Sequence, residues 1–385
     1  MLQKLSSFAG VPGPVVIIVM DGYGIPKTDA GSAIAAARKP TLDRLFADHP
    51  NIRLRAHGTA VGMPSDDDMG NSEVGHNAIG AGQVYSQGAA LVADAIASGA
   101  IWEGEAWQQI VAGAKAGRGT IHFIGLFSDG NVHSHIDHLK AMVVQAKAEG
   151  LKTVRIHALL DGRDVPETSA LDYVIPFETF LTEISTDGFD ARIASGGGRQ
   201  NITMDRYDAN WSMVDKGWKT HVLGEGQQFP NAVAAVNALR EQNPGTIDQD
   251  LPPFVIGEKG KPIGTIEDGD SVVFFNFRGD RAIEITRAFE EAAFDKFERV
   301  RVPNVTYAGM LQYDGDLKLP ARFLVAPPAI KNTMGEWFSK ADIAQFACSE
   351  TQKFGHVTYF WNGNRSGKFD GETYQEVPSD VVPFE

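Results

Sequence analysis

Hydrophobic positions fall into two patterns along the chain: short runs that are almost wholly apolar, and longer stretches with helical spacing. Pro12-Gly13-Pro14 interrupts the chain just before Val15-Val16-Ile17-Ile18-Val19-Met20. An all-apolar run rich in β-branched residues predicts a strand buried on both faces, as in a parallel sheet. Similar runs predict strands over Thr120–Phe127, Thr153–Leu160, 271–277, 305–310 and 356–361. Between two of these, residues 137–149 place Leu139, Val143 and Ala146 on one stripe of a helix that Gly150 ends. A second helix is predicted over Ala170–Ile184, where Leu171, Val174, Phe177, Leu181 and Ile184 recur at helical spacing. No internal repeat stands out. The pattern is that of an α/β protein with largely parallel sheets.

Composition narrows the class. A chain of 385 residues exceeds one ordinary core, so two domains are expected. With 43% hydrophobic and 22% charged residues the chain resembles an ordinary soluble globular protein. The run before Asp21 is too short to span a bilayer, and the first dozen residues lack a signal-peptide core. Cys348 stands alone, which suits a reducing compartment, so a cytoplasmic location is expected. The net charge of −14 argues against broad nucleic-acid or membrane-surface binding. An anionic substrate would then require a local cluster of arginines, or metal ions, that reverses the field in one cleft.

Four arrangements at predicted strand ends or in glycine-rich turns could carry chemistry, because open α/β sheets bind ligands beyond the carboxyl ends of their strands. Asp21-Gly22-Tyr23-Gly24 follows the first strand. It reads either as a carboxylate placed to hold a cation or as an Asp-Gly turn. The stretch from Asp66 to Asn77 contains Met69-Gly70-Asn71-Ser72-Glu73-Val74-Gly75-His76. A serine opening a helix has backbone N–H donors and a positive dipole end beneath it, which suits a phosphoryl acceptor, although an ordinary N-cap satisfies the same pattern. Ser128 to His135 and Asp161-Gly162-Arg163-Asp164 follow two further strands. His133, His135 and His138 read as a metal cluster, or as one phosphate or hydroxyl contact among surface residues. Arg163 offers a forked cation and Asp164 a carboxylate for a substrate hydroxyl. Last come Arg199 after Gly196-Gly197-Gly198, Arg206, and Arg278 with Arg281 in Asn276-Phe277-Arg278-Gly279-Asp280-Arg281. Such arginines in an acidic chain point to an anion pocket.

These residues resemble the cofactor-independent phosphoglycerate mutases of the alkaline phosphatase superfamily. The resemblance runs from Val15 to the end. Its most specific pieces are Met69 to His76, Asp161 to Asp164, Asn276 to Arg281, and Glu350 to Thr358. Ser195 to Arg199 with Met204-Asp205-Arg206, and the stretch Phe360 to Arg365, look closer to the trypanosomatid and plant-like branch. The resemblance implies a discontinuous phosphatase-like domain over residues 1–87 and 328–385, with a transferase domain over 88–327 inserted through two linkers, the second near Ala326-Pro327-Pro328. It implies interconversion of 3-phosphoglycerate and 2-phosphoglycerate, without added bisphosphoglycerate, through a phosphoserine at Ser72. Asp21 and Ser72 match ligands of a divalent metal, expected to be manganese, with magnesium or cobalt as alternatives. Lys353 matches a cation beside the transferring group. His133, Arg163, Asp164, Arg199, Arg206, Arg278 and Arg281 match the substrate-holding set, in which Asp164 would move protons. A monomer acting on small molecules is expected.

One departure stands beside this resemblance. The family places most of its metal ligands beyond a segment like Val377 to Asp380, in motifs absent here, and His356 is the one histidine after His221. A second metal site is therefore not expected from this chain. It is read as a fragment whose parent is a mutase and which alone is inactive. The alternatives are another phosphomutase or phosphatase of the superfamily, and a non-catalytic module that binds glycerate phosphates.

Overall fold

The computed structural model describes residues 2, 5–25, 28–63, 65–67, 69–86, 88–206, 208–315, 317–326, 328 and 330–380. Asp68 of the acidic run, residue 87 at an expected domain boundary and Pro327 of the expected linker lie outside them. The described chain separates into two units. One comprises Met1–Val61, Gly70–Val84 and Ile330–Glu385; the other comprises Gly62–Met69 and Tyr85–Ala329.

The larger unit is built on one sheet. Its strands are β1 (Thr120–Phe127), β2 (Thr153–Leu160), β3 (Asp190–Gly198), β4 (Gln227–Phe229), β5 (Phe254–Glu258), β6 (Lys261–Pro262), β7 (Ser271–Phe274) and β8 (Thr306–Gly309). They run in the order β4-β5-β3-β2-β1-β7-β8, with β6 on β5. β3, β2, β1, β7 and β8 are mutually parallel, and β5 lies antiparallel to β3. The central strands are buried on both faces, which is why β1 and β2 read as largely apolar runs, interrupted by His122, Arg155 and His157. Helices including Glu105–Ala116, Ile136–Ala148, Ala170–Ile184 and Ala232–Gln242 supply the covering layers. Their buried stripes, such as Leu139, Met142, Val143 and Ala146, join one apolar cluster with Phe123, Phe127, Val154 and Ile156 of the sheet.

The smaller unit contains the helix Ser72–Ala81, the helix Thr351–Gly355 continued by a π-helical turn His356–Phe360, and the parallel pair β9 (Gln345–Glu350) and β10 (Glu372–Val377). Two expectations fail here. The strand expected over 356–361 is the helical turn, whose Thr358 hydroxyl donates to the Phe354 carbonyl one turn back. A short apolar run does not separate helix from strand by periodicity alone. Val15 to Met20 belongs to no strand and is exposed, with Ile18 79% accessible. A buried strand needs neighbours to pair its edges and cover its faces, and among the described residues nothing pairs with this one.

Candidate functional site

Two groups of side chains gather, one in each unit. In the smaller unit Asn71 caps the helix Ser72–Ala81, its side chain accepting from the Val74 N–H at 3.1 Å. Ser72 is therefore not the cap. It stands in the first turn with its hydroxyl free for other work. His76 donates from Nδ1 to the Ser72 carbonyl at 2.7 Å, since a carbonyl only accepts. The other end of this helix is seated by close approach: Asn77 donates to the Phe360 carbonyl, and a Cβ on Gly80 would collide with the carbonyl of Trp361.

Lys353, from the helix after β9, brings its ammonium to Ser72 Oγ at 2.8 Å and to Asp21 Oδ2 at 2.6 Å. Asp21 sits in a turn closed by the Tyr23 N–H to the Met20 carbonyl, with Gly22 at φ 79°. The segment is a turn, as one of its two sequence readings has it, and the carboxylate it carries meets the Lys353 ammonium. Partial burial pushes the Asp21 carboxyl up, yet hydrogen bonds from Lys353 and Ser72, with the Lys353 charge, hold it below its ordinary value. The serine oxygen thus accepts from a lysine while its own proton is directed at a carboxylate.

Asp21 and Ser72 are hard oxygen donors converging on one cation, which is the right chemistry for part of a divalent shell. It is not a complete shell: among the described residues no group of three or more His, Cys, Asp or Glu side chains is arranged to hold a metal. His135 instead caps the helix Ile136–Ala148 by accepting from the Asp137 N–H, and His138 is buried against the Phe277 ring.

In the larger unit the candidate residues lie beyond the carboxyl ends of β1, β2, β3 and β7, four adjacent parallel strands. Arg199 directly follows Gly198, where a Cβ would strike the Gln249 backbone, so the strand end can be occupied only by glycine at this spacing. Asp161, at the end of β2, accepts from the N–H groups of Arg163 and Asp164, both at 3.1 Å, and from Arg199 Nη1 at 2.9 Å. Arg199 also pairs with Asp164. Past β7, Asp280 accepts from Arg278 Nε at 3.0 Å and lies 3.5 Å from Arg206 Nη1 and 3.7 Å from His133 Nδ1. Arg281 donates to the Met204 carbonyl at 2.5 Å. Arg163 has an exposed side chain and contributes at longer range.

The electrostatics show that these cations converge. Burial, then the charges of Arg199, Arg278, Arg281 and Arg206, hold His133 well below its ordinary value, so its imidazole is neutral at pH 7. Its Nδ1 is buried and makes no hydrogen bond. Burial and the neighbouring Arg206 and Arg199 lower Arg281 to about 10, against the pull of Asp280. Five arginines facing three carboxylates leave surplus positive charge around an unsatisfied imidazole. Sequence reasoning did not assign Asp161, Asp280 or Asn276, whose side chain accepts from the Leu126 N–H at 2.9 Å and ties β1 to the turn after β7. The signal was present: each stands in a motif already singled out for its arginines.

Residues 92–315 match the family described as the BPG-independent PGAM N-terminus. The chain is 60% identical over 375 residues to a probable 2,3-bisphosphoglycerate-independent phosphoglycerate mutase of Leptospira interrogans, a match covering 96% of this chain and 68% of that one. It is 53% identical over 374 residues to the 2,3-bisphosphoglycerate-independent phosphoglycerate mutase of Trypanosoma brucei brucei, again with 96% and 68% covered. A crystal structure of Leishmania mexicana phosphoglycerate mutase at low cobalt concentration is similar with a TM-score of 0.83 and 53% identity, covering 91% of this chain and 65% of that chain. The chain thus spans about two thirds of the length of these relatives. No helix among the described residues is long and apolar enough to cross a membrane. The chain belongs to the 2,3-bisphosphoglycerate-independent phosphoglycerate mutases.

Proposed function

We propose that the chain carries the nucleophile and the glycerate-binding pocket for interconverting 3-phosphoglycerate and 2-phosphoglycerate. The observation that carries this reading is Lys353 bridging Ser72 Oγ and Asp21 Oδ2. Ser72 attacks phosphorus, its proton passing toward Asp21, while Lys353 offsets charge developing on the phosphoryl oxygens. The glycerate is released from phosphorus as an alkoxide, and the Asp164 carboxylate relays to it the proton of the other glycerate hydroxyl. The glycerate turns in the pocket, and the oxygen so deprotonated takes the phosphoryl group back from Ser72, whose proton returns from Asp21. Arg163, Arg199, Arg206, Arg278 and Arg281 hold carboxylate and phosphate, and the neutral His133 contacts an oxygen. A divalent metal, manganese in this reading with magnesium or cobalt able to substitute, would take Asp21 and Ser72 as ligands and lower the hydroxyl's pKa. The Ser72 region and the arginine pocket correspond in this reading to a phosphatase-like domain and an inserted transferase domain, acting as a cytoplasmic monomer on small molecules and without bisphosphoglycerate.

Two described oxygens hold a divalent ion weakly, so turnover by this chain alone is expected to be slow, whereas phosphoglycerate binding needs only the arginines. The test is incubation with 3-phosphoglycerate and manganese, followed by mass spectrometry of the peptide containing Ser72. A phosphoryl adduct on Ser72 that Ser72→Ala abolishes is expected. An adduct elsewhere, or turnover that survives Ser72→Ala, would sink the assignment.

A further inference from the structure

A chain of buried hydrogen bonds crosses the sheet of the larger unit and takes no part in the mechanism above. It starts at Asp270, the residue before β7. Asp270 Oδ2 accepts from His122 Nε2 on β1 at 3.1 Å. His122 Nδ1 meets His157 Nε2 on β2 at 2.9 Å, and His157 Nδ1 meets Ser195 Oγ on β3 at 2.7 Å. Ser195 Oγ meets His221 Nδ1 at 2.8 Å, and His221 Nε2 meets Thr203 Oγ1 at 3.0 Å. All six residues are essentially buried.

Donor logic fixes every proton in this chain. An ionised carboxylate only accepts, so His122 carries its proton on Nε2. Its Nδ1 must then accept, which places the His157 proton on Nε2. His157 Nδ1 accepts from the Ser195 hydroxyl, Ser195 Oγ accepts from His221 Nδ1–H, and His221 Nε2 accepts from the Thr203 hydroxyl. Five hydrogen bonds run one way from Thr203 to Asp270. Burial keeps all three imidazoles neutral, as this arrangement needs.

The far end of the chain is where its consequence lies. Thr203 has φ 69°, a left-handed backbone that a β-branched residue rarely adopts. Gly217 packs so closely on its side chain that a Cβ there would collide with Oγ1. The next residue, Met204, gives its carbonyl to Arg281, and Asn276 Nδ2 approaches its sulfur at 3.8 Å. We propose that Thr203, held in its strained conformation by the Asp270–His122–His157–Ser195–His221 chain, is a positioning residue that sets the Arg281 guanidinium in the anion pocket. This rests on the reading of the arginines as the phosphoglycerate pocket.

Thr203→Val keeps the shape and the β-branching while removing the hydroxyl, and Thr203→Ser restores the hydroxyl. Calorimetric titration with 3-phosphoglycerate is expected to show affinity about tenfold weaker in Thr203→Val and near wild type in Thr203→Ser, the size expected when a displaced Arg281 forfeits one hydrogen bond to the bound anion. Nitrogen-15 spectra of the wild-type histidines should show the proton on Nε2 of His122 and His157 and on Nδ1 of His221. Any other tautomer overturns the proposal, and so does Thr203→Val with a lower melting temperature but unchanged affinity. A wild-type chain that binds no phosphoglycerate would overturn the functional reading instead. The Arg281 guanidinium resonance then decides the positioning role: a shift in Thr203→Val that Thr203→Ser reverses supports it, and no shift overturns it.

Discussion

Replacing Lys353 by methionine separates what this residue does for the fold from what it does for chemistry. The ammonium lies 2.6 Å from Asp21 Oδ2. At that distance two unit charges attract by roughly 2 kcal/mol in water and roughly 6 kcal/mol at an effective dielectric of 20. Neither figure survives as stability, because the Lys353 and Asp21 side chains are 38% and 29% exposed and recover hydration when separated. A pair of this kind is worth about 0–1 kcal/mol net, so the melting temperature should fall by no more than about 4 °C. The sign with pH follows from Asp21, whose carboxyl is held below its ordinary value. Its contribution is present above the unfolded carboxylate value and lost as pH falls through the folded one, so the gap between variant and wild type should close in acid. Chemistry should respond differently. A fixed cation aimed at developing charge contributes about 10²–10³ in rate. Labelling of Ser72 from radioactive phosphoglycerate, followed by rapid quench, should therefore slow by that factor while the melt hardly moves. A melt that collapses by more than about 10 °C would show Lys353 to be structural, since an exposed pair cannot supply that much stability. Labelling within about threefold of wild type would refute the electrostatic role.

Other outcomes follow from single contacts. Gly80→Ala should destabilise the smaller unit by about 1–3 kcal/mol in a denaturant melt, because its Cβ would strike the Trp361 carbonyl. Asn71→Ala removes the side chain that accepts the Val74 N–H and should cost about 1 kcal/mol, whereas Asn71→Asp should keep the cap. Acid should loosen the larger unit before its carboxylates titrate. Burial lowers His138 to about 4 and His221 to about 3, so only the unfolded chain takes up their protons as pH drops below the ordinary histidine value. Each should remove about 2 kcal/mol between pH 7 and pH 5, and His221→Gln should flatten that part of the stability profile.

Much of the arginine pocket was legible because its chemistry is local in sequence. Asp161 to Asp164 and Asn276 to Arg281 each sit at the end of a strand that the apolar runs mark, Arg199 follows three glycines, and adjacent parallel strands carry such ends to one edge of a sheet. β1 and β2 were readable to the residue for the same reason, being buried on both faces. Where burial depends on distant partners the sequence misled. Val15 to Met20 has a strand's composition but no described neighbour, and 356–361 is as apolar as a strand yet closes as a helical turn against the helix of Ser72. β3 escaped because Gly196 to Gly198 lack the branched side chains that announce a strand, while the Gln249 backbone beside Gly198 requires their absence. Asp280 shows the general difficulty most clearly. In the sequence it is one acid between two arginines. In the fold it accepts from Arg278, neighbours Arg206 and lies near the unsatisfied Nδ1 of His133, so one carboxylate holds the spacing of cations that would otherwise repel. Removing it in Asp280→Asn should leave those arginines mutually uncompensated. Two outcomes of titration with 3-phosphoglycerate distinguish its roles. Tighter binding would mean that Asp280 acts only as a competing anion, and weaker binding would mean that it orders the pocket. The second is expected, because Arg278 Nε is fixed at 3.0 Å on this carboxylate, and a guanidinium released from it loses the orientation that bidentate recognition needs.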